Sequence, residues 1–523
     1  MRMAGARTMI SKQEWRWAAA VAVAVMVLTT IPYLVAAGNR DAQWRFSGFL
    51  IGVEDGNSYL AKMGQGARDG WAYKLAYSSE TQAGAVLFLF HFALGKLAGT
   101  SPAAEIVVYH VARGVFGLLL LLVSYAFLAH FLPRVQQRRL ALAWVAVGGG
   151  LGWLLILLRQ SDFYGSLPLD LYSPEGFGWL TLFGLPHLAL ARALLLLGLL
   201  AYLNGRGLWA GLALLGASLI QPLYVIAIWA VMGVDTLWAM FWLAGQDRLR
   251  SLLKAALAIV LSTPYVAYTV YVFSVDPVLR QWNLQNRLPS PNPIHYVVAY
   301  GPYLALAVGG WFALRRRQPR LARFAAGWLL IAPVLVYLPI PTQRRLIEGL
   351  WVPLVALAVL GLTVALHRWR AWLVPLLVVL ALPTTLILWL GSFGAALRPA
   401  EPVFVPAGQH SVFAWLADHA SPGQVAISAY ETGNLLPAYT PLTAYVGHGP
   451  ETVYLQDKLA RVTAFYSAGT PDVGRQTLLV EGRISYVLYG PRERALGTFD
   501  PAGASYLAPL FSSGDYQVYA VVQ

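Results

Sequence analysis

Along the first 397 positions, apolar residues come in long blocks and polar residues are confined to the stretches between them. A helix needs about 20 apolar residues to cross the hydrocarbon core of a bilayer. Trp17 to Ala37, Leu140 to Leu158 and Ala371 to Leu397 each run without a single charge. The block pattern predicts eleven spans, at about 17–37, 106–131, 140–158, 188–204, 207–221, 222–243, 252–273, 296–314, 321–341, 349–366 and 371–394. One further apolar segment, Ala83 to Gly99, offers only about 13 residues before Lys96 and carries His91. That length suits an interfacial or re-entrant helix rather than a crossing. It is therefore placed inside a long first loop, about 38–105.

After Leu397 the pattern changes to short alternating runs bounded by Gly, Pro and Asp. "QVAIS", "LTAYVG", "ISYVLYG" and "YQVYAVV" read as strands, "FAWLADHA" has helical spacing, and helices are expected over 451–466 and 474–482. Strands alternating with helices predict a small open sheet of roughly four strands. The expected fold class is a polytopic α-helical membrane protein (residues 1–397) followed by a C-terminal soluble α/β domain (398–523).

Composition agrees with this class and excludes others. Of the 523 residues, 58% are hydrophobic and only 12% are charged, too few to clothe a soluble protein of this size. There is no cysteine, which excludes disulfides and thiolate chemistry or ligation. A net charge of +14 would suit a nucleic-acid binder, but in a membrane protein it reflects basic loops on one side, and no nucleic-acid partner is expected. Arg2, Arg7, Lys12 and Arg16 precede the first block, whose length exceeds that of a cleaved signal peptide. With the N-terminus inside, the short inner segments, "RVQQRR" and "RRRQPRLAR" foremost, hold 18 Lys and Arg, against 11 in the much longer outer loops. That asymmetry is the positive-inside rule. It predicts a multi-pass protein of the plasma or inner membrane, with a cytoplasmic N-terminus and an outer C-terminal domain. Most carboxylates before residue 398 then fall on the outer side.

Within that outer set, "GVEDGNSYL" puts Glu54 and Asp55 side by side just beyond the first span. Asp55, Asn57 or Ser58 would equally suit an N-cap for a helix starting near Tyr59. "QRRLIEG" puts Arg344, Arg345 and Glu348 in an outer loop, against the charge rule, so the arginines serve either a phosphate or neighbouring carboxylates. Arg113 and Arg192 fit side chains snorkelling to headgroups. Asp162 and Glu175 fit either a second carboxylate or loop capping. His187 fits packing at the head of its span, and "GHGPET" fits a loop and helix cap.

The stretches "GVEDGNSYL", "ARGVFGLLLLLVSY" and "ASLIQPLYV", together with the interfacial helix at 83–99, resemble the C-type (GT-C) membrane glycosyltransferases, the superfamily of protein O-mannosyltransferases and the lipid A aminoarabinose transferase. "YSSETQAG", "SPEGFGWLTLFGLPHLALA", "QRRLIEGLWVPL" and "TGNLLPAYTPLTAYVGHGPETVYLQDK" resemble a group of bacterial GT-C-like proteins. The resemblance implies transfer of a sugar from a polyprenyl-phosphate donor to a glycan, lipid or protein acceptor at the outer face, by an inverting displacement. It implies a catalytic carboxylate at Asp55, with Glu54 or Asp162 as the other candidates. Tyr59, Lys62, Glu80, Arg113, Glu175, His187, Arg344, Arg345 and Glu348 are the candidate substrate-binding residues. No cofactor is expected, and a divalent cation is not specified by any ligand spacing. Two other classes stay open: a lipid-linked substrate transporter, for which Asp235 is the mid-membrane charge, and a non-catalytic GT-C-like scaffold subunit.

Overall fold

The computed structural model describes residues 10–39, 41–365, 375–376 and 379–522. It divides into two compact units that are not continuous in sequence. One is built from the chain up to Ile31, Val111–Thr269 and Leu288–Gly391; the other from Pro32–His110, Val270–Arg287 and the chain from Ser392 onward.

The first unit is helical. Among the described residues, six helices of the whole chain are long and apolar enough to cross a membrane: Lys12–Gly38, Pro102–Phe131, Pro186–Leu203, Pro222–Trp242, Gly245–Val275 and Ile294–Arg317. Gly207–Ile220 and Pro383–Leu397 are shorter apolar helices, as are Pro319–Leu335 and Trp351–Ala365. The first ten expected blocks match these elements with two differences. Pro319–Leu335 stops short of the expected 341, in a stretch that includes Pro339 and Pro341. The block 140–158 is not one helix: Val135–Val147 ends at Gly148 in extended backbone, and Gly152–Leu157 starts afresh. Three consecutive glycines, each costing about 1 kcal/mol in a helix interior, break it. The break is also filled from outside, since a methyl group on Gly150 would fall 2.7 Å from the Ala299 backbone. Asp170 pins the new start by accepting from the Gly152 amide at 3.2 Å and from the Thr384 hydroxyl at 2.6 Å. The eleventh block, 371–394, lies partly outside the described residues.

Without water to drive apolar surfaces together, helices in lipid gain most from close backbone approach at small residues. Ile294–Arg317 and Trp351–Ala365 cross in this way. A methyl on Gly310 would sit 1.9 Å from the Leu357 carbonyl oxygen, and one on Gly361 would sit 1.9 Å from that of Leu306.

The second unit holds the first loop. The segment expected to be interfacial forms the helix Leu89–Ala98; its ten residues reach about 15 Å at 1.5 Å per residue, half a bilayer core. It packs on the helix Val53–Arg68 at a glycine contact: a methyl on Gly95 would meet the Met63 carbonyl at 1.9 Å, and one on Gly66 the Phe92 backbone at 2.5 Å. Strand β1 (Trp44–Phe46) pairs antiparallel with β2 (Phe404–Pro406), Arg45 opposite Val405. A five-stranded sheet follows, with β3 (Val425–Ile427), β4 (Thr443–Ala444), β5 (Ile484–Tyr489), β6 (Leu507–Ser513) and β7 (Tyr516–Val521) in the order β4-β3-β5-β7-β6. β3 pairs parallel with β4 and β5, while β7 runs antiparallel to both β5 and β6. Helices Leu455–Tyr466 and Asp472–Glu481 sit where helices were expected, and Val462, Phe465, Tyr466, Leu478 and Val487 fill the core with them. The fifth strand, β6, was not foreseen. It is an edge strand with a single buried side chain, and its Pro509 sits at a register shift, where a residue without an amide hydrogen is tolerated.

Candidate functional site

The first loop meets the C-terminal chain inside the second unit. Gly52, with φ +57, turns the backbone into the helix Val53–Arg68. The helix therefore begins earlier than the expected start near Tyr59, and capping by Asp55, Asn57 or Ser58 is overturned: Glu54 and Asp55 lie in the first turn. There the free amides and the positive end of the helix dipole favour a carboxylate.

Both carboxylates turn toward the segment 430–451. Glu54 Oε1 accepts from the Tyr430 hydroxyl in a short hydrogen bond and from the Gly449 amide at 3.1 Å. Asp55 Oδ1 lies 3.3 Å from His448 Nε2. The Asp55 side chain is 62% exposed, while that of His448 is 5% exposed. A solvent-facing carboxylate is thus held from behind by a buried imidazole.

One turn deeper the polar groups are buried and paired. Ser58 and Lys62, at four-residue spacing on one helix face, both reach Glu451. Lys62 Nζ lies 2.6 Å from Glu451 Oε1, the Ser58 hydroxyl donates to the same oxygen at 2.6 Å, and the Tyr73 hydroxyl donates to Oε2 at 2.8 Å. Lys62 also donates to the Ser58 hydroxyl in a short hydrogen bond and sits 4.6 Å over the Phe88 ring. Asn57 donates to Asn434 at 2.8 Å. Burial opposes ionisation of Glu451, but the charges of Lys62 and His448 and the hydrogen bonds from Lys62 and Ser58 outweigh it and hold the carboxyl below its usual range. His448 Nδ1 is 3.9 Å from Glu451 Oε1. The reading of "GHGPET" as a helix cap does not hold. The following helix starts at Leu455 behind Tyr454 in left-handed backbone. Thr452 instead closes its own turn by accepting from the Gly447 and His448 amides, each at 3.2 Å.

The remaining candidates are placed as follows. Lys62 is buried in its ion pair, and Glu80 is paired with Lys458 at 2.7 Å. The Tyr59 ring stacks on His91 at 4.8 Å. In the first unit, Arg192 and Glu348 form a buried pair, 3.0 Å between Nη2 and Oε2, with further bonds from Arg192 to the carbonyls of Phe177 and Pro174. Arg113 is buried and donates to the hydroxyls of Thr29 and Thr30, each at 2.8 Å. Neither arginine snorkels to a headgroup; each finds hydrogen-bond partners inside the helix packing. Arg345 pairs with Glu175 at 3.4 Å, to which Tyr224 also donates at 3.2 Å. The Arg344 guanidinium stacks 4.6 Å over Tyr172. His187 is buried at the head of its helix, and Asp162 is exposed in the loop beyond Gly152–Leu157. Asp235 accepts from the Tyr202 hydroxyl at 2.9 Å and lies 3.9 Å from Lys254.

His448 and Glu451 were missed as partners of the first loop. The only signal for them in the sequence was the position of two ionisable residues in one Gly- and Pro-bounded turn.

Among the described residues, no group of three or more His, Asp or Glu side chains converges as a metal ion needs. Glu54 meets the Tyr430 hydroxyl and the Gly449 amide through Oε1, and Asp55 meets His448 through Oδ1.

No family model matches the chain, and no curated protein matches it in sequence. Its fold does match solved structures. The apo oligosaccharyltransferase of Archaeoglobus fulgidus superimposes with a TM-score of 0.55 at 12% identity, over 97% of this chain and 74% of that one. The oligosaccharyltransferase AglB of Archaeoglobus fulgidus, in complex with an inhibitory peptide and a dolichol-phosphate, also gives 0.55 at 12% identity, over 98% and 75%. The zinc and sulfate complex of the oligosaccharyltransferase first named gives 0.50 at 12% identity, over 95% and 73%. The overlay spans nearly the whole chain, so the chain shares its fold with this archaeal oligosaccharyltransferase.

Proposed function

We propose that this protein is a membrane glycosyltransferase that moves a sugar from a polyprenyl-phosphate-linked donor to an acceptor hydroxyl, with Asp55 as the general base. The observation that carries the reading is the exposed Asp55 carboxylate at a helix start, braced by His448 over a buried Lys62–Glu451 pair. The chemistry follows from that group. The acceptor oxygen attacks the anomeric carbon as the bond to the lipid-phosphate oxygen breaks. The acceptor proton passes to the Asp55 carboxylate, and the leaving phosphate takes the electron pair. A single displacement inverts the anomeric configuration. A positioned base accelerates such a step by about 10²–10⁴-fold. His448 Nε2 keeps the carboxylate oriented. Glu54, bonded to Tyr430 and Gly449, is the less available base. A lipid-linked donor is supported by the dolichol-phosphate bound in the archaeal structure of the same fold.

On this reading the first loop and residues 398–523 lie on the outer side of a cell membrane, with the N-terminus cytoplasmic. The sequence partition is a membrane domain at 1–397 and an outer domain at 398–523. The test is incubation of the purified protein with a panel of polyprenyl-phosphate sugars and candidate acceptors, following release of the lipid phosphate. Release that depends on Asp55 is expected. Release that persists undiminished in Asp55→Asn removes the assignment, and no release across the panel removes the activity.

A further inference from the structure

The first unit contains a cavity of about 590 Å³ that the proposed reaction does not use. It is lined by the ends of four helices: Gly207–Ile220, Pro222–Trp242, Gly245–Val275 and Pro319–Leu335. Four cations line it (Arg250, Lys254, Arg320 and Arg323) against two carboxylates, Asp235 and Asp247. The carboxylates are already engaged. Asp235 holds Lys254 at 3.9 Å, with the ammonium also 3.6 Å over the Tyr202 ring. Asp247 lies 3.6 Å from Arg250. That leaves Arg320 and Arg323, and among the described residues neither has a carboxylate within salt-bridge distance. Arg320 acts electrostatically on Lys254 and Tyr202, so the positive charges add at one place. Like charges gathered on neighbouring helices destabilise the unit unless an anion sits among them.

The other wall identifies the anion. Trp238, Leu253 and Leu257 line the same cavity and are 45%, 59% and 42% exposed. Phe241 and Trp242, at 83% and 72% exposure, continue this apolar face, and Trp238 and Trp242 stack at 6.3 Å. Tryptophans beside a basic cluster mark the membrane–water boundary. A free phosphate has no use for an apolar wall; a phospholipid needs both parts, because its headgroup and acyl chains leave in different directions.

We propose that this cavity binds the headgroup of an anionic phospholipid, with Arg320 and Arg323 on the phosphate and the acyl chains along Trp238, Leu253 and Leu257. Basic pockets between membrane helices recognise anionic headgroups in this manner. The site is independent of the glycosyltransferase reading.

The experiment is native mass spectrometry of the detergent-purified full chain, titrated with phosphatidylglycerol or phosphatidylcholine, with and without inorganic phosphate. The wild type is expected to retain phosphatidylglycerol in preference to phosphatidylcholine, and millimolar phosphate should not displace it. Each arginine near a phosphate contributes about fivefold, so Arg320→Ala/Arg323→Ala should weaken phosphatidylglycerol binding roughly 30-fold. Equal retention of the two lipids overturns the proposal, as does undiminished binding by the double variant. Displacement by phosphate alone makes this a free-anion site and overturns the lipid assignment. Should the double variant prove poorly folded, Trp238→Phe serves instead. Brominated phosphatidylglycerol should quench wild-type tryptophan emission more than brominated phosphatidylcholine does, and that difference should shrink in Trp238→Phe. An unchanged difference places the lipid elsewhere.

Discussion

At the scale of single residues, Asp55 and Glu451 are both carboxylates facing the same turn, yet their surroundings assign them opposite duties. Asp55 is mostly exposed and is not an N-cap. Asp55→Asn should therefore leave the melting temperature within a degree or two while lowering glycosyl transfer roughly 100-fold or more, the usual worth of a positioned base. Glu54→Gln should cost less activity, measured in the same assay. Glu451 is buried with Lys62, and removing one member of a buried pair strands the other charge at about 3–5 kcal/mol. Glu451→Gln should lower the thermal midpoint sharply, and Lys62→Met/Glu451→Leu should recover much of the loss, because no lone charge remains. A double variant as unstable as the sum of its singles would contradict the pairing. The same carboxyl sets a pH dependence. Its folded pKa lies below the unfolded value of about 4.3. The stability it contributes is thus fully present above that value and is lost as pH falls through the folded pKa. Melts of wild type and Glu451→Gln should converge as the pH drops below about 4.

At the scale of elements, glycine decides both where helices break and where they touch. The run Gly148–Gly150 divides a block that hydropathy alone counts as continuous, while Gly310 and Gly361 let two helices meet backbone to backbone. Gly310→Val should push the helices Ile294–Arg317 and Trp351–Ala365 apart. Overpacking costs about 1–3 kcal/mol even where only side chains must move, and here the obstacle is the Leu357 carbonyl, so a loss at or beyond that range is expected in thermal melts. Gly114→Ala makes the control, because nothing lies within 4 Å of a methyl there. Equal melting of the two variants would refute the close crossing. The short helix Leu89–Ala98 was legible from its apolar run, whereas the edge strand β6 was not, since its proline and its lack of a clean buried–exposed alternation carry little strand signal.

At the scale of the whole molecule, the segments that pack together are far apart in the chain. The first loop belongs with the residues beyond Ser392, and the sequence partition at 397 does not show it. Orientation is argued from the basic segments, "RVQQRR" and "RRRQPRLAR" among them. It predicts that a reporter fused after Gln523 is active when it requires export and silent when it requires the cytoplasm. The reverse pattern would place Asp55 on the wrong side for a lipid-linked donor at the outer face.

What the sequence determined by itself is what depends on neighbours in the chain: the membrane class, most apolar helices, the short helix of the first loop, and four of the five strands of the C-terminal sheet. Hydropathy and periodicity are sums over a short window, so they survive without the fold. The carboxylate pair at Glu54 and Asp55 was visible for the same reason. Which charges are buried, and against what, was decided only by tertiary structure. Lys62 finds Glu451 across 389 positions, Asp55 finds His448 across 393, and Arg192 finds Glu348 across 156. A charge leaves water only where a partner is held within hydrogen-bond distance, and no window of sequence contains both members of such a pair.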